Sequence, residues 1–377
     1  MKKKYVVLSI ITLVLLIAFV TSFNYFKNSN TYVENNSNNQ TKITKGISMN
    51  LEQTAGAGDY KQVTQSSWPT EGYKFNAELS KCENGGEISW DDTKKAVIVS
   101  GNLSDKCYVY FDIYQLTLAE YIKSQYTGTQ GDNALYYHNS TLTNGAGDNS
   151  YRYAGASDSV NNYICLGSDV ATCPDANLFR IIGVFGDKTK VIRAKSVGDK
   201  KWSTSDDNTW SSSSLNTYLN GEYLTSLGTL ADKIATTTWK VGGVTYENIV
   251  TSVPKTAYQY EVGSSASTTT VNKKIGLMYV SDYGFAADQS AWTTELGSYN
   301  SNTSKNWLYL RHTEWTISRR SDISDNSNLA FSVNYAGHVG HNYVGNGYGV
   351  RPSFNLLSST TYVSGSGSMS DPVRVTD

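Results

Sequence analysis

Residues 5–23 (YVVLSIITLVLLIAFVTSF) form an almost unbroken apolar run. At 1.5 Å per helical residue the run covers about 28 Å, close to the hydrocarbon thickness of a bilayer. Lys2, Lys3 and Lys4 precede it, and Lys27 is the one base between it and Lys42. The cationic end is therefore expected to stay cytoplasmic and the rest of the chain to be exported. Val20-Thr21-Ser22 offers the alternative of a cleaved signal peptide, although the run exceeds the usual h-region of roughly 7 to 15 residues. The expectation is a single-pass signal anchor in the cell membrane over residues 1–26, with the body outside the cell.

An exported body alters the reading of Cys82, Cys107, Cys165 and Cys173. An even number of cysteines in an oxidising space reads as two disulfides. Proximity pairs Cys82 with Cys107 and Cys165 with Cys173; other pairings would staple separate domains together. A zinc site would want C-x-x-C or C…H spacings, and neither the cysteines nor His138, His312, His338 and His341 supply them. With 32 basic and 33 acidic residues, the net charge of -1 gives no field that draws nucleic acid. The 28 tyrosines, set among Gly-, Ser-, Thr- and Asn-rich segments, suit a β-rich surface protein with long loops.

The polar, Asn-rich stretch 27–67 lacks large aliphatics and reads as a flexible stalk. Period-two alternation begins at Tyr73, Phe75, Ala77 and Leu79, and Asn84-Gly85-Gly86 reads as a hairpin turn. Residues 68–113 are thus expected to form a β-domain so small that it needs its staple. A helix is expected over 116–125, with Thr117 as N-cap and Glu120 completing a capping box. It opens a connector, 114–162, whose polar loop shows no regular pattern. The larger domain, 163–357, begins near Tyr163. It holds a strong hairpin (LFRIIGVF, the turn Gly186-Asp187-Lys188-Thr189, KVIRA), a kinked helix over 213–227, and strand candidates at 234–241, 275–280, 330–335 and 349–356. Residues 358–377 read as a C-terminal tail.

Five segments of that domain carry a resemblance: NLFRIIGVF at 177–185, Trp210 with Leu215, Leu219 and Asn220, IGLMYVSDYG at 275–284, WTISRR at 315–320, and YGVRPSFNL at 348–356. Together they resemble an uncharacterised family of surface-protein domains from Gram-positive bacteria. That family is distantly similar to the C-type-lectin-like fold of the formylglycine-generating enzymes, whose Gly-x-Arg strand Gly349 and Arg351 would match. The resemblance implies an α+β chain: a transmembrane helix, a small disulfide-stapled β-domain, then a C-type-lectin-like mixed domain with long loops. Those enzymes work through a cysteine pair near the end of the domain, and no cysteine follows Cys173 here, so the likeness does not carry their oxidase chemistry.

Local chemistry points the same way. His338 and His341 sit in a glycine-rich segment that cannot hold them on one helical face, and Asp206-Asp207-Asn208 and the stretch 322–328 do not fit an EF-hand loop. No G-x-S-x-G elbow is present, and no metal, cofactor or catalytic residue is assigned. Trp292, Trp307, Tyr343 and Tyr348 lie among Asn, Ser and Gly in the carboxy-terminal half, a mixture suited to recognition. With Arg320 for carboxylates and Asn346 for hydrogen bonds they form the expected ligand site, in a cleft between loops 285–315 and 336–348. Trp315 is assigned to the core. The reading is a non-catalytic, adhesin-like module that binds a glycan, a peptide or another surface protein, with an enzyme on the same scaffold or a structural envelope component as the alternatives.

Overall fold

The structure is a computed structural model that describes residues 46–64, 67–69, 72–101, 105–300, 305–322 and 328–376. The expected membrane span at 5–23 lies outside these residues. Among the described residues no helix is long and apolar enough to cross a membrane. The chain divides into two compact units, Met1–Gln115 and Leu116–Asp377.

Strands begin earlier than the alternation at Tyr73 suggests. In the first unit Gly46–Glu52, inside the stretch expected to be stalk, pairs parallel to Lys106–Ile113 and antiparallel to Tyr60–Val63. Met49 and Leu51 join Val109 and Phe111 in the core of the unit. On the other side Tyr73–Cys82 pairs with Lys106–Ile113, and Cys82 lies opposite Cys107, to which it is disulfide-bonded. The Asn84-Gly85-Gly86 turn forms, wrapped round the Asp105 carboxylate, which accepts the Asn84 and Gly86 N–H groups at 2.9 and 3.0 Å. It does not make the expected hairpin. The strand after it, Glu87–Asp91, pairs with Ala96–Ser100 as a separate ribbon.

The second unit centres on the hairpin that the sequence marks most strongly. Leu178–Phe185 and Lys188–Arg193 pair antiparallel across a turn at Gly186-Asp187. The first of these strands is buried from Leu178 to Val184, as a run of apolar residues with both faces covered requires. Ser353–Asn355 and then Ile275–Gly276 extend the sheet on one side. Tyr163–Cys165 and Tyr151–Tyr153 pair with Leu178–Phe185 on the other. Leu135–Tyr137, paired with Tyr151–Tyr153, and then Val373–Val375 and Tyr362–Ser364 complete nine strands, so the supposed tail is part of the sheet. A second sheet of five strands includes Glu314–Arg319, Leu329–Val333 and Val339–Tyr343.

This organisation corrects the expected α+β, lectin-like mixed architecture. Strand accounts for 35% of the described residues and helix for 19%, so the described part of the molecule is mostly β. The helices are too short to form a layer of their own: Leu118–Ser124, with both halves of the Thr117–Glu120 capping box in place, and Pro254–Glu261 span about two turns each. The expected kink over 213–227 appears as a π-helical turn, Leu219–Tyr223, containing Gly221. Of the strand expected at 275–280 only Ile275–Gly276 remains, because Val280–Phe285 is a helix.

Cys165 is bonded to Cys173, so the two disulfides use all four cysteines. That pattern fits an extracellular or secreted body. Loop-closure entropy assigns the Cys82–Cys107 bridge, whose ends are 25 positions apart in sequence, about 3.5 kcal/mol of stabilisation. A Cys82→Ser/Cys107→Ser variant is therefore expected to lose most of its denaturant resistance in the first unit. Urea unfolding followed by Trp90 and Trp68 fluorescence checks this, and an unchanged midpoint would show the staple to be dispensable.

Candidate functional site

The residues expected to bind a ligand separate in the structure. Trp292 is fully buried. Its ring centre lies 5.1 Å from that of Tyr136 and 5.4 Å from that of Phe285. Its N–H donates to the Ala287 carbonyl at 3.0 Å. Trp307 is buried too, donating to the Tyr153 carbonyl at 2.8 Å beneath the Arg180 guanidinium. Both indoles face inward because a backbone carbonyl there meets the one polar atom of each ring. Arg320 grips Asp322 at 2.6 and 3.1 Å and packs on Tyr246. Tyr343 is exposed and donates to Asp206. Asn346 donates to the Tyr348 hydroxyl, which donates in turn to Asn342. Loops 285–315 and 336–348 do touch: His338 Nδ1 lies 2.9 Å from the Gly297 carbonyl. Trp315 lies in the core as expected.

Arg351 bonds Glu314 through two nitrogens at 2.7 and 2.8 Å, both side chains being buried. Arg351, in the link between the strands Gly347–Gly349 and Ser353–Asn355, is thereby tied to the strand Glu314–Arg319 of the second sheet. Among the described residues, no three His, Cys, Asp or Glu side chains gather as a metal site would need.

A cavity of about 260 Å³ lies elsewhere, at the margin of the nine-stranded sheet. Strand Tyr151–Tyr153 brings Arg152, the central hairpin brings Phe185 and Lys190, and Thr237–Lys240 brings Trp239. Helix Pro254–Glu261 adds Tyr258, and Val280–Phe285 adds Asp282. Gly183 permits the arrangement. A Cβ there would stand 2.1 Å from the Tyr151 carbonyl oxygen, so only glycine lets the Arg152 strand lie this close.

Four charges alternate along the cavity floor. Asp148 Oδ2 is 2.6 Å from Arg152 Nη2, Arg152 Nη1 is 3.7 Å from Asp282 Oδ1, and Asp282 Oδ2 is 2.5 Å from Lys190 Nζ. Arg152 and Asp282 are 2% and 3% exposed, a burial that such charges tolerate only when paired. Asp282 Oδ2 also accepts the Tyr279 N–H at 2.8 Å, closing its own helix. Aromatic faces enclose both cations: Arg152 lies 4.6 Å from the Phe185 ring centre and 5.2 Å from that of Tyr258, and Lys190 4.8 Å from that of Tyr279. Burial raises the Asp148 carboxyl, but Arg152 and the Ser150 hydrogen bonds outweigh it and bring it down to about 2. Burial pushes the Tyr258 and Tyr279 hydroxyls up, so both stay protonated.

Sequence reasoning missed these residues. Arg152 and Asp148 fall in the polar loop without a pattern, although that loop supplies strands Leu135–Tyr137 and Tyr151–Tyr153 to the sheet. The available signals were Asp282, a lone acid inside the apolar IGLMYVSDYGFA, and Lys190 within an inward-facing strand. A lone charge in such a run requires a buried counter-charge.

A family model described as a domain of unknown function (DUF6273) matches residues 186–358. No curated protein and no solved structure matches the chain. The matched span holds Lys190, Trp239, Tyr258 and Asp282, while Asp148 and Arg152 precede it.

Beside the cavity His138 is buried, its Nδ1 accepting the Ala146 N–H at 3.0 Å and its ring set against Phe285 and Trp292. Burial, with Arg152 nearby, holds its pKa well below 6.5. The unfolded chain therefore takes up a proton near pH 6.5 that the folded one refuses, and stability falls as pH drops below that point. Thermal unfolding at pH 7.5 and 5.5 should show a smaller acid-induced drop for His138→Asn than for the parent; equal drops would contradict this. Gly183→Ala should destabilise the larger unit by about 2–4 kcal/mol, the range for forced overpacking and displaced backbone, read from the same melts.

Proposed function

We propose that this chain is an extracellular, adhesin-like binding module, and that the cavity beside the central hairpin of the larger unit seats a glycan, a peptide or a segment of another surface protein. The observation that carries the reading is the cavity itself. Its ionic groups are held in place by one another and by backbone before any ligand arrives, and its walls are aromatic. A preformed apolar cleft with a few fixed polar groups is the usual form of a small-ligand site. Fixing those groups in advance also lowers the entropy cost of binding.

Two further observations support the setting. Every cysteine is disulfide-bonded, as in proteins of oxidising compartments. The segments NLFRIIGVF, WTISRR and YGVRPSFNL resemble surface-protein domains of Gram-positive bacteria, where a retained ligand would be envelope or host material.

The test is capture of ligands by the full chain on combined glycan, peptide and surface-protein arrays, repeated with Tyr258→Ala. Tyr258 is partly exposed on a helix, so its truncation should leave the melting temperature within a few degrees. Retention should fall at least tenfold. Turnover of an arrayed compound, or retention indifferent to Tyr258, would overturn the proposal.

A further inference from the structure

The floor of the cleft restricts what it accepts. This argument rests on the binding reading above and narrows it. Arg152 Nη2 is engaged by Asp148 at 2.6 Å, and Arg152 Nε donates to the Ser150 hydroxyl at 2.8 Å. Nη1 faces Asp282 Oδ1 at 3.7 Å, too far for a hydrogen bond. The hydrogen bonds to Asp282 from described residues, those of Lys190 and the Tyr279 N–H, both fall on Oδ2. A charged donor and a charged acceptor thus stand side by side, nine-tenths or more buried, at a spacing that one oxygen seated beside the gap, about 2.8 Å from each, can bridge.

That oxygen must accept from Arg152 and donate to Asp282 at the same moment. A hydroxyl does both; a carboxylate only accepts, and an ammonium only donates. A charged ligand group would also have to displace a partner from an ion pair already made, since Arg152 holds Asp148 and Lys190 holds Asp282. Loss of a buried partner of that kind leaves a charge unsolvated and is strongly unfavourable, so charge in the ligand is penalised in either sign. The walls add a second condition. Phe185, Tyr258 and Val262 give a partly exposed apolar flank, suited to the C–H face of a ring. The cavity, about 260 Å³, lies just below the ~300–1,000 Å³ of common ligand pockets, a size that one small ring fills.

We infer that the cleft binds a single uncharged sugar ring, with one ring hydroxyl bridging Arg152 Nη1 and Asp282 Oδ1 and one face lying on Tyr258. Recognition is metal-independent, because the bridge is made by side chains alone.

The full chain is titrated, by saturation-transfer NMR and calorimetry in the presence of EDTA, with the methyl glycosides of glucose, galactose and mannose and with N-acetylglucosamine. Glucuronic acid, glucosamine and a capped neutral dipeptide form the comparison arms. At least one neutral ring should bind, its charged counterpart at least tenfold more weakly. Of its monodeoxy analogues, one should lose at least tenfold, marking the bridging hydroxyl without any change to the protein. Tyr258→Ala should lose at least tenfold as well, with the melting temperature within a few degrees of the parent. Preference for the charged sugars, equal binding by every deoxy analogue, or binding of no neutral ring would overturn the inference. If array retention depends on Tyr258 while only the dipeptide binds here, the sugar assignment falls and the cleft reading stands; if neither assay depends on Tyr258, both fall.

Discussion

Asp282 is the carboxylate around which the larger unit is organised. One of its oxygens closes the helix Val280–Phe285 through the Tyr279 N–H and receives the ammonium of Lys190 from the central hairpin. The other faces Arg152 from the neighbouring strand. A helix end, the hairpin and the added strand therefore meet at one buried charge. Such a cluster gives little net stability, because desolvation consumes most of the Coulomb gain. What it supplies is registry, since removing any member leaves a charge in a medium that does not solvate it.

The same logic recurs without an opening to solvent. Arg351 and Glu314 pair in full burial, and burial still pushes the Glu314 carboxyl up despite the guanidinium beside it. Among the described residues Arg180 is held by neutral groups, Asn162, Ser157 and the Val160 carbonyl, and it lies against the rings of Tyr163 and Trp307. Burial brings its pKa down to about 10, so it remains charged at physiological pH. Each of these arginines ties loops to a sheet. Of these three arginines it is Arg152 that lines the cavity of about 260 Å³, and that separates a candidate site from a structural clamp.

Much of the local structure was legible in the residues. Hairpin 178–193, the capped helix at Thr117 and the kink near Gly221 follow from apolar runs, a capping box and a glycine, all of which act over a few residues. The disulfides also form between cysteines close in sequence. Strand Gly46–Glu52 escaped because its inward residues, Met49 and Leu51, are few and its partner, Lys106–Ile113, lies some sixty residues away. The tail escaped for a similar reason: Tyr362–Ser364 and Val373–Val375 are three residues each, too short to show a period. The balance of helix and strand was misjudged because short helices between strands carry the same local signals as helices that form a layer.

The aromatic residues mark the limit of reading along the chain. Trp292 and Trp307 sit in polar surroundings in sequence, yet both indoles are buried, because a side chain's burial depends on what folds over it and not on its neighbours in the chain. The sequence by itself determined the pairing of neighbouring cysteines, the central hairpin and the near-zero net charge, since composition and short-range pattern decide these. Which charges share a cavity was decided by tertiary structure alone. The Asp148–Arg152 pair, Lys190 and Asp282 come from three separate segments, and Coulomb attraction between those segments begins to matter only after the sheet has brought them within a few ångströms and excluded the water that would screen them.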